Sequence, residues 1–214
     1  YDISDYQDIM EEFGTMEDFN HLLSEVHKRG MKLILDLVVN HTSDEHPWFI
    51  ESRSSKDNPK RDWYIWADPK SDGSEPNNWE SIFNGSTWEY DDTTKQYYFH
   101  LFSKKQPDLN WSNPDVREAV FKMMNWWFEK GIDGFRVDAI THIKKTFEAG
   151  DLPVPKGKQY APAFDVDMNQ PGIQDWLQEM KDKSLSHYDI MTVGEANGVN
   201  PDNAKEWVGE KEGK

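Results

Sequence analysis

The chain has 214 residues and a formal net charge of −16 at pH 7. Such an acidic surface repels phosphate backbones and anionic headgroups, so we expect no nucleic-acid or membrane partner, whereas a neutral substrate is compatible with it. The sequence contains no cysteine, which excludes a disulfide framework and a thiolate metal site. No long apolar run occurs, and we expect a cytoplasmic protein.

The first predicted helix runs from about residue 15 to 29. Thr15 followed by Asp18 is typical of a helix N-terminus, because each side chain can bond the other residue's backbone N–H. Apolar residues recur at helical spacing through this stretch, and Gly30 provides the stop. A strand over 31–39 is predicted to follow with almost no loop between them.

The alternation of helix and strand then disappears from residue 42 to 105. This stretch contains several prolines, glycine turns and tryptophans, and a structureless loop of that length is improbable in a compact domain. We therefore predict a small inserted subdomain with short strands, the clearest of them over 96–102. Its tryptophans are more simply explained as a core than as sugar platforms.

After the insertion the alternation of helices and strands returns. In chain order we predict a helix from about 114 to 130, a strand over 131–140, a short helical stretch near 141–148 with a proline-containing loop after it, a helix from 171 to about 183, a strand over 189–194 and a helix near 201–208. Strands that alternate with helices form a parallel sheet.

Three of these strands end at or near a carboxylate, namely Asp36, Asp138 and Glu195. Acids at the C-terminal ends of parallel strands mark the active-site face of a (β/α)8 barrel. A complete barrel needs about 250 residues, and the sequence begins at Tyr1 without an initiator methionine. We therefore predict an α/β fold, a partial TIM barrel, and interpret the chain as an internal piece of a longer enzyme.

Asp138 and Glu195 are the candidate catalytic residues. Arg136 lies two positions before Asp138 and so on the same face of the strand, where its charge keeps a nucleophilic carboxylate ionised. A purely structural ion pair explains that pairing as well. A second candidate acid is therefore needed to distinguish a catalytic site from a structural ion pair. Between Lys183 and Glu195 the only basic residue is His187, which favours the protonated form that a general acid needs.

The motifs at these positions resemble those of glycoside hydrolase family thirteen, the α-amylase family, and within it the oligo-1,6-glucosidase and α-glucosidase subgroup. They are Asp36-Leu-Val-Val-Asn-His41, Gln106-Pro-Asp-Leu-Asn110, Gly134-Phe-Arg-Val-Asp138 and Gly194-Glu195. The resemblance covers essentially the whole chain. It implies barrel segments over 1–41 and 106–214, about strands three to five, with subdomain B inserted over 42–105.

The resemblance also implies roles for individual residues. Asp138 would attack the anomeric carbon and Glu195 would act as acid and base, with retention of configuration. The implied substrate-binding residues are Tyr1, which would stack on the terminal glucose, and Asp36, His41 and Arg136, which would line the sugar subsite. No cofactor and no metal site are expected. The family's third catalytic carboxylate lies in an Asn-His-Asp motif that this sequence lacks, so we expect the chain alone to be inactive.

The implied activity is that of a retaining α-glucosidase acting on maltose and short malto- or isomalto-oligosaccharides. Within the subgroup, valine directly after the nucleophile goes with α-1,6 preference and smaller residues go with α-1,4, so Ala139 predicts α-1,4 preference. Three alternatives stay open: an oligo-1,6-glucosidase, a trehalose-phosphate hydrolase, which would need a cationic phosphate site, and a non-catalytic amylase-like binding module.

Overall fold

The computed structural model describes residues 1–208, in which helices and strands alternate around an insertion. The strands are β1 (Ile34–Val38), β2 (Trp66–Ala67), β3 (Trp88–Asp91), β4 (Gln96–Phe99), β5 (Gly134–Asp138) and β6 (Met191–Gly194). The α-helices are α1 (Met16–Lys28), α2 (Pro47–Ser54), α3 (Pro114–Lys130), α4 (Phe164–Asp167), α5 (Ile173–Lys183) and α6 (Ala204–Val208). The last residues of the predicted barrel segment, 209–214, lie outside the described part of the chain.

The sheet that carries the candidate site consists of β1, β5 and β6. Its strands are parallel and β5 lies in the middle. Asp36 is opposite Arg136, and Val38 is opposite Asp138. Because all three strands run in the same direction, their carboxyl ends meet at one edge, and the predicted parallel arrangement is confirmed.

Local sequence signals set the helix ends that lead into these strands. The Thr15 hydroxyl accepts the Asp18 backbone N–H at 3.2 Å, and the Asp18 carboxylate accepts the Thr15 N–H at 2.8 Å, so the predicted start of α1 is confirmed. Asn113 caps α3 directly before Pro114. Gly131 ends α3 with φ of 103°, a left-handed conformation that glycine adopts at little cost.

Two apolar cores hold the structure together. The larger lies between the parallel sheet and its helices, and its buried members include Phe19, Leu37, Val120, Met124, Phe128, Phe135, Val137 and Leu177. The smaller lies in the insertion, and its buried members are Trp79, Trp88, Phe99, Leu101 and Ala163. Fixed helix-to-sheet packing in the larger core is what makes the strand ends a rigid platform.

The insertion contains an antiparallel sheet in the order β2, β4, β3, so the expected short strands are confirmed. Trp79 and Trp88 are buried, as expected for core residues. Residues beyond the predicted insertion also pack on it, because Phe147 stacks on Trp79 with ring centroids 5.2 Å apart and Ala161 accepts the Glu80 N–H. The loop after β5 thus completes the smaller core.

The helical stretch predicted near 141–148 is replaced by two short 3₁₀ turns, Ile140–His142 and Phe147–Ala149. The physical reason lies in the Thr146 N–H, which donates to the Val166 carbonyl at 2.8 Å and not to a preceding turn. Val166 belongs to α4, which the sequence did not predict. Tertiary contact with α4 therefore overrides local helix propensity.

The outer strands of the parallel sheet each have a single neighbour within the described residues. Met191 and Val193 on β6 are 57% and 46% exposed. Such unpaired edges are able to pair with further strands. Among residues 1–208, no helix has the length and apolar character that crossing a bilayer requires.

Candidate active site

Arg136, in the middle strand, contacts three carboxylates at the C-terminal edge of the sheet. Its Nη1 lies 2.5 Å from Asp138 Oδ1 and 3.2 Å from Asp36 Oδ1, and its Nη2 lies 3.3 Å from Glu195 Oε2. The hydrogen bond to Asp138 raises the pKa of Arg136 further above its already high value, with the other acids adding to the effect. One permanently charged guanidinium therefore holds both candidate catalytic acids.

Asp138 ends β5 with its side chain 14% exposed and paired to Arg136. The predicted pairing at this strand end is therefore present in the structure. The contact with Arg136 holds the Asp138 carboxylate at a fixed position, as attack on an electrophilic carbon requires.

Glu195 follows β6, and its backbone N–H donates to the Val137 carbonyl at 2.9 Å, which extends the strand pairing to this candidate position. Its Oε2 accepts the Ala139 backbone N–H at 3.0 Å. The sequence before Glu195 indicated only His187 as a nearby basic residue, but Arg136 reaches Glu195 from the neighbouring strand. Parallel pairing brings together residues that are far apart in sequence.

Ala139 turns the chain out of β5 in an unusual conformation. Its φ of 46° and ψ of 31° are left-handed, a region that non-glycine residues rarely adopt and that β-branched residues strongly disfavour. The side chain is 1% exposed, so the surrounding chain covers it. The turn instead points the backbone N–H at Glu195.

Tyr1 and Asp36 form the outer rim of the site. The Tyr1 hydroxyl donates to Asp36 Oδ2 at 2.8 Å, and this hydrogen bond raises the pKa of the phenol. Tyr1 is 64% exposed, so its ring is accessible at the rim. Tyr1, Asp36 and Arg136 thus form a continuous hydrogen-bonded series leading to the two candidate catalytic acids.

His41 is buried behind this rim. Its Nε2 lies 2.9 Å from the Tyr1 carbonyl oxygen and 3.1 Å from Gln106 Nε2, and its Nδ1 lies 3.2 Å from Asn40 Nδ2. Burial lowers the pKa of His41, which favours the neutral imidazole. The Phe102 ring packs beside it at 5.3 Å between centroids.

Sequence reasoning did not name Gln106, Asn40 or Phe102 as site residues. Gln106 opens a motif that had been recognised, so its position was available as a signal. Phe102 offers no comparable signal, because a phenylalanine in an aromatic-rich insertion is typical of a core. Within residues 1–208, no group of three His, Cys, Asp or Glu side chains is arranged to hold a metal ion.

Comparison with known proteins identifies the family. Residues 1–214 match the family model described as "Alpha amylase, catalytic domain". The chain belongs to the α-amylase family. Its partial α/β fold, with one parallel and one antiparallel sheet, is consistent with the catalytic-domain fold of that family.

Individual relatives of this α-amylase-family chain include glycoside hydrolases. It is 65% identical over 213 residues to the probable oligo-1,6-glucosidase 3 of Bacillus subtilis (strain 168), covering 100% of this chain and 38% of the relative. It is 52% identical over 209 residues to an α-glucosidase of Pediococcus pentosaceus, covering 98% and 37%. The crystal structure of Bacillus licheniformis trehalose-6-phosphate hydrolase matches with a TM-score of 0.91 and 47% identity, covering 99% and 37%. The chain therefore spans less than two fifths of the length of these relatives.

Proposed function

We propose that the full-length protein containing this chain is a retaining α-glucosidase that removes glucose from the non-reducing end of short α-glucosides. The observation that supports this most directly is the shared contact of Asp138 and Glu195 with Arg136. Two acids facing one another across a cleft are what retaining glycoside hydrolysis requires. A binding module has no need of such a pair.

The chemistry then divides between the two acids. Asp138 attacks the anomeric carbon while Glu195 protonates the leaving oxygen, and a covalent glucosyl–Asp138 ester forms. Glu195, now ionised, takes a proton from water, and the water oxygen attacks the anomeric carbon; the bond to Asp138 breaks, which restores the carboxylate and releases glucose with its original configuration. Because Oε2 of Glu195 is held by the Ala139 N–H and Arg136, we assign proton delivery to Oε1.

The place of this chain in the whole protein is part of the proposal. We assign β1, β5 and β6 to strands three, four and five of a (β/α)8 barrel, with residues 42–105 as the inserted subdomain B. The family's third carboxylate would come from a segment outside this sequence. We therefore expect the chain by itself to lack hydrolase activity.

The proposed substrates are maltose and short malto- or isomalto-oligosaccharides, bound by Tyr1, Asp36, His41 and Arg136. We propose that α-1,4 links are preferred, because Ala139 follows the nucleophile. The second candidate is an oligo-1,6-glucosidase, which the 65% identity to a relative of that name favours. A trehalose-phosphate hydrolase is supported by the matching fold of a relative named for that activity, with the cationic phosphate site as its distinguishing requirement.

The test uses the full-length protein with maltose and isomaltose. Proton NMR should show α-glucose as the first product, and kcat/KM should be higher for maltose. Glu195→Gln should lower kcat by about 10²- to 10⁴-fold, and Asp138→Asn should abolish turnover.

Matched controls are Glu206→Gln and Asp202→Asn, which change exposed acids on or near α6 and should leave both rates unchanged. Release of β-glucose as the first product, or normal turnover by Asp138→Asn, would refute the proposed mechanism. A higher kcat/KM for isomaltose would select the oligo-1,6-glucosidase instead.

A further inference from the structure

A fully buried cation lies behind His41. The Lys145 side chain is 1% exposed, and its Nζ lies 2.5 Å from Asp108 Oδ2 and 2.8 Å from Asn40 Oδ1. The Asp108 side chain is fully buried. Replacing buried ion pairs by apolar residues is often neutral or stabilising, so stability alone does not account for this pair.

The Lys145 ammonium fixes which way the Asn40 amide points. An ammonium group can only donate hydrogen bonds, so the Asn40 atom that faces it must be the oxygen. Asn40 Nδ2 is thereby directed at Asp108 Oδ2, at 3.0 Å, and at His41 Nδ1, at 3.2 Å. The amide orientation, which is often ambiguous, is chemically determined here.

This orientation in turn selects the form of His41. Since Nδ1 faces an N–H donor, it must be unprotonated, and the proton of the neutral ring lies on Nε2. The Tyr1 carbonyl, 2.9 Å from Nε2, is the acceptor for this Nε2–H. Gln106 Nε2, which lies 3.1 Å from the same ring nitrogen, donates to that carbonyl as well, at 3.2 Å. The Gln106 orientation is set independently, because its Oε1 accepts the Ser103 N–H.

We propose that Lys145 is a positioning residue for the sugar subsite: through Asn40 it holds His41 as the neutral Nε2–H tautomer, which fixes Tyr1 at the rim. The Tyr1 hydroxyl continues the series to Asp36 and from there to Arg136. The assignment of this rim to sugar binding rests on the proposed function. The hydrogen-bond series from Lys145 to Tyr1 does not depend on it.

The charged groups around His41 determine how the loss of Lys145 would change the protonation of His41. Asp108 and Asp138 favour the imidazolium, whereas burial and Lys145 oppose it. Without Lys145, the Asn40 amide is held only by its bond to Asp108 Oδ2, and the cation that opposes the imidazolium is gone. His41 should then become protonated at a higher pH than in the wild type.

The experiment compares the full-length wild type with Lys145→Met. In the variant we expect KM for maltose to rise about tenfold, as for a lost positioning hydrogen bond, with a smaller change in kcat. The rise should be larger at pH 5 than at pH 8, because His41 becomes protonated. Lys144→Met is the matched control, since that neighbouring ammonium lies 4.7 Å over the Trp176 ring, away from His41.

A second readout needs no substrate. In ¹⁵N-histidine-labelled protein, with the His41 signals assigned by loss in His41→Gln, the wild type should show the neutral Nε2–H tautomer at pH 8. Lys145→Met should show either the other tautomer or protonation of His41 at a higher pH than in the wild type. If the wild type is inactive on all α-glucosides, the proposed function is wrong. The NMR measurement of the His41 tautomer still tests the role of Lys145 in that case.

Lys145→Met leaves the buried Asp108 charge unpaired, which can disrupt folding. The double variant Lys145→Met/Asp108→Asn avoids this because it removes both charges. The amide oxygen introduced by Asp108→Asn can retain the bond to the Leu101 N–H that Asp108 Oδ1 makes at 2.9 Å. The introduced amide nitrogen would then face Asn40 and favour the reversed orientation of the Asn40 amide. We expect a folded protein with an altered His41 tautomer; an unchanged tautomer in this variant, or an unchanged KM and pH profile in Lys145→Met, would overturn the proposal.

Discussion

Asp133, at the turn between α3 and β5, binds the end of α1 and the residues just before β1, at the end of the sheet opposite the site. Its Oδ2 accepts the Leu33 backbone N–H at 2.8 Å and lies 2.8 Å from His27 Nε2, while Oδ1 lies 2.9 Å from Lys32 Nζ. The side chain is 11% exposed. Burial alone would raise the pKa of Asp133, but the bonds from Leu33, His27 and Lys32 lower it to about 2.

The magnitude follows from linkage between protonation and folding. The pKa falls from 3.8 in the unfolded chain to about 2 in the folded one, and one pKa unit corresponds to about 1.4 kcal/mol, so the ionised carboxylate contributes roughly 2 kcal/mol. Because the folded-state pKa is the lower one, this contribution is complete above about pH 4 and is lost as the pH falls toward 2.

Asp133→Asn in the full-length protein should therefore lower the free energy of unfolding by about 2 kcal/mol at pH 7, with a smaller difference at pH 3. Urea unfolding followed by circular dichroism at both pH values measures this. Asp92→Asn, at a carboxylate that is 90% exposed, serves as the control. A difference at pH 7 no larger than that of the control, or one that does not shrink at pH 3, would refute the reasoning.

Three further predictions concern the site and the fold. In a crystal structure of the full-length protein, the Asp138 and Glu195 carboxyl groups should lie roughly 5–5.5 Å apart, and a separation of about 6.5–9.5 Å would indicate inversion. Ala139→Val should raise the isomaltose-to-maltose ratio of kcat/KM, and an unchanged ratio would remove the main support for α-1,4 preference. Because valine disfavours the left-handed backbone, the same variant should lose about 1–3 kcal/mol of stability, whereas Ala139→Gly should lose none. The isolated chain should associate through its unpaired strand edges, so a sharp monomeric peak in size-exclusion chromatography with a cooperative melt would contradict that expectation.

The sequence alone determined the elements whose signals lie within a few neighbouring residues. The Thr15–Asp18 pair and Pro114 marked helix starts, and Asp36, Asp138 and Glu195 marked the ends of strands. Capping, proline geometry and the alternation of strand faces act locally, so they can be read before the chain is folded. Parallel pairing then followed from the alternation of strands and helices.

Only the tertiary structure decided how residues far apart in sequence meet. It placed Arg136 against Glu195, turned Ala139 into a left-handed conformation and set the Lys145 ammonium behind His41. It also drew Phe147 into the core of the insertion, where a local helix had been expected. Each of these depends on contacts that form only when packing brings the strands and loops together. The residues adjacent in sequence do not determine such contacts.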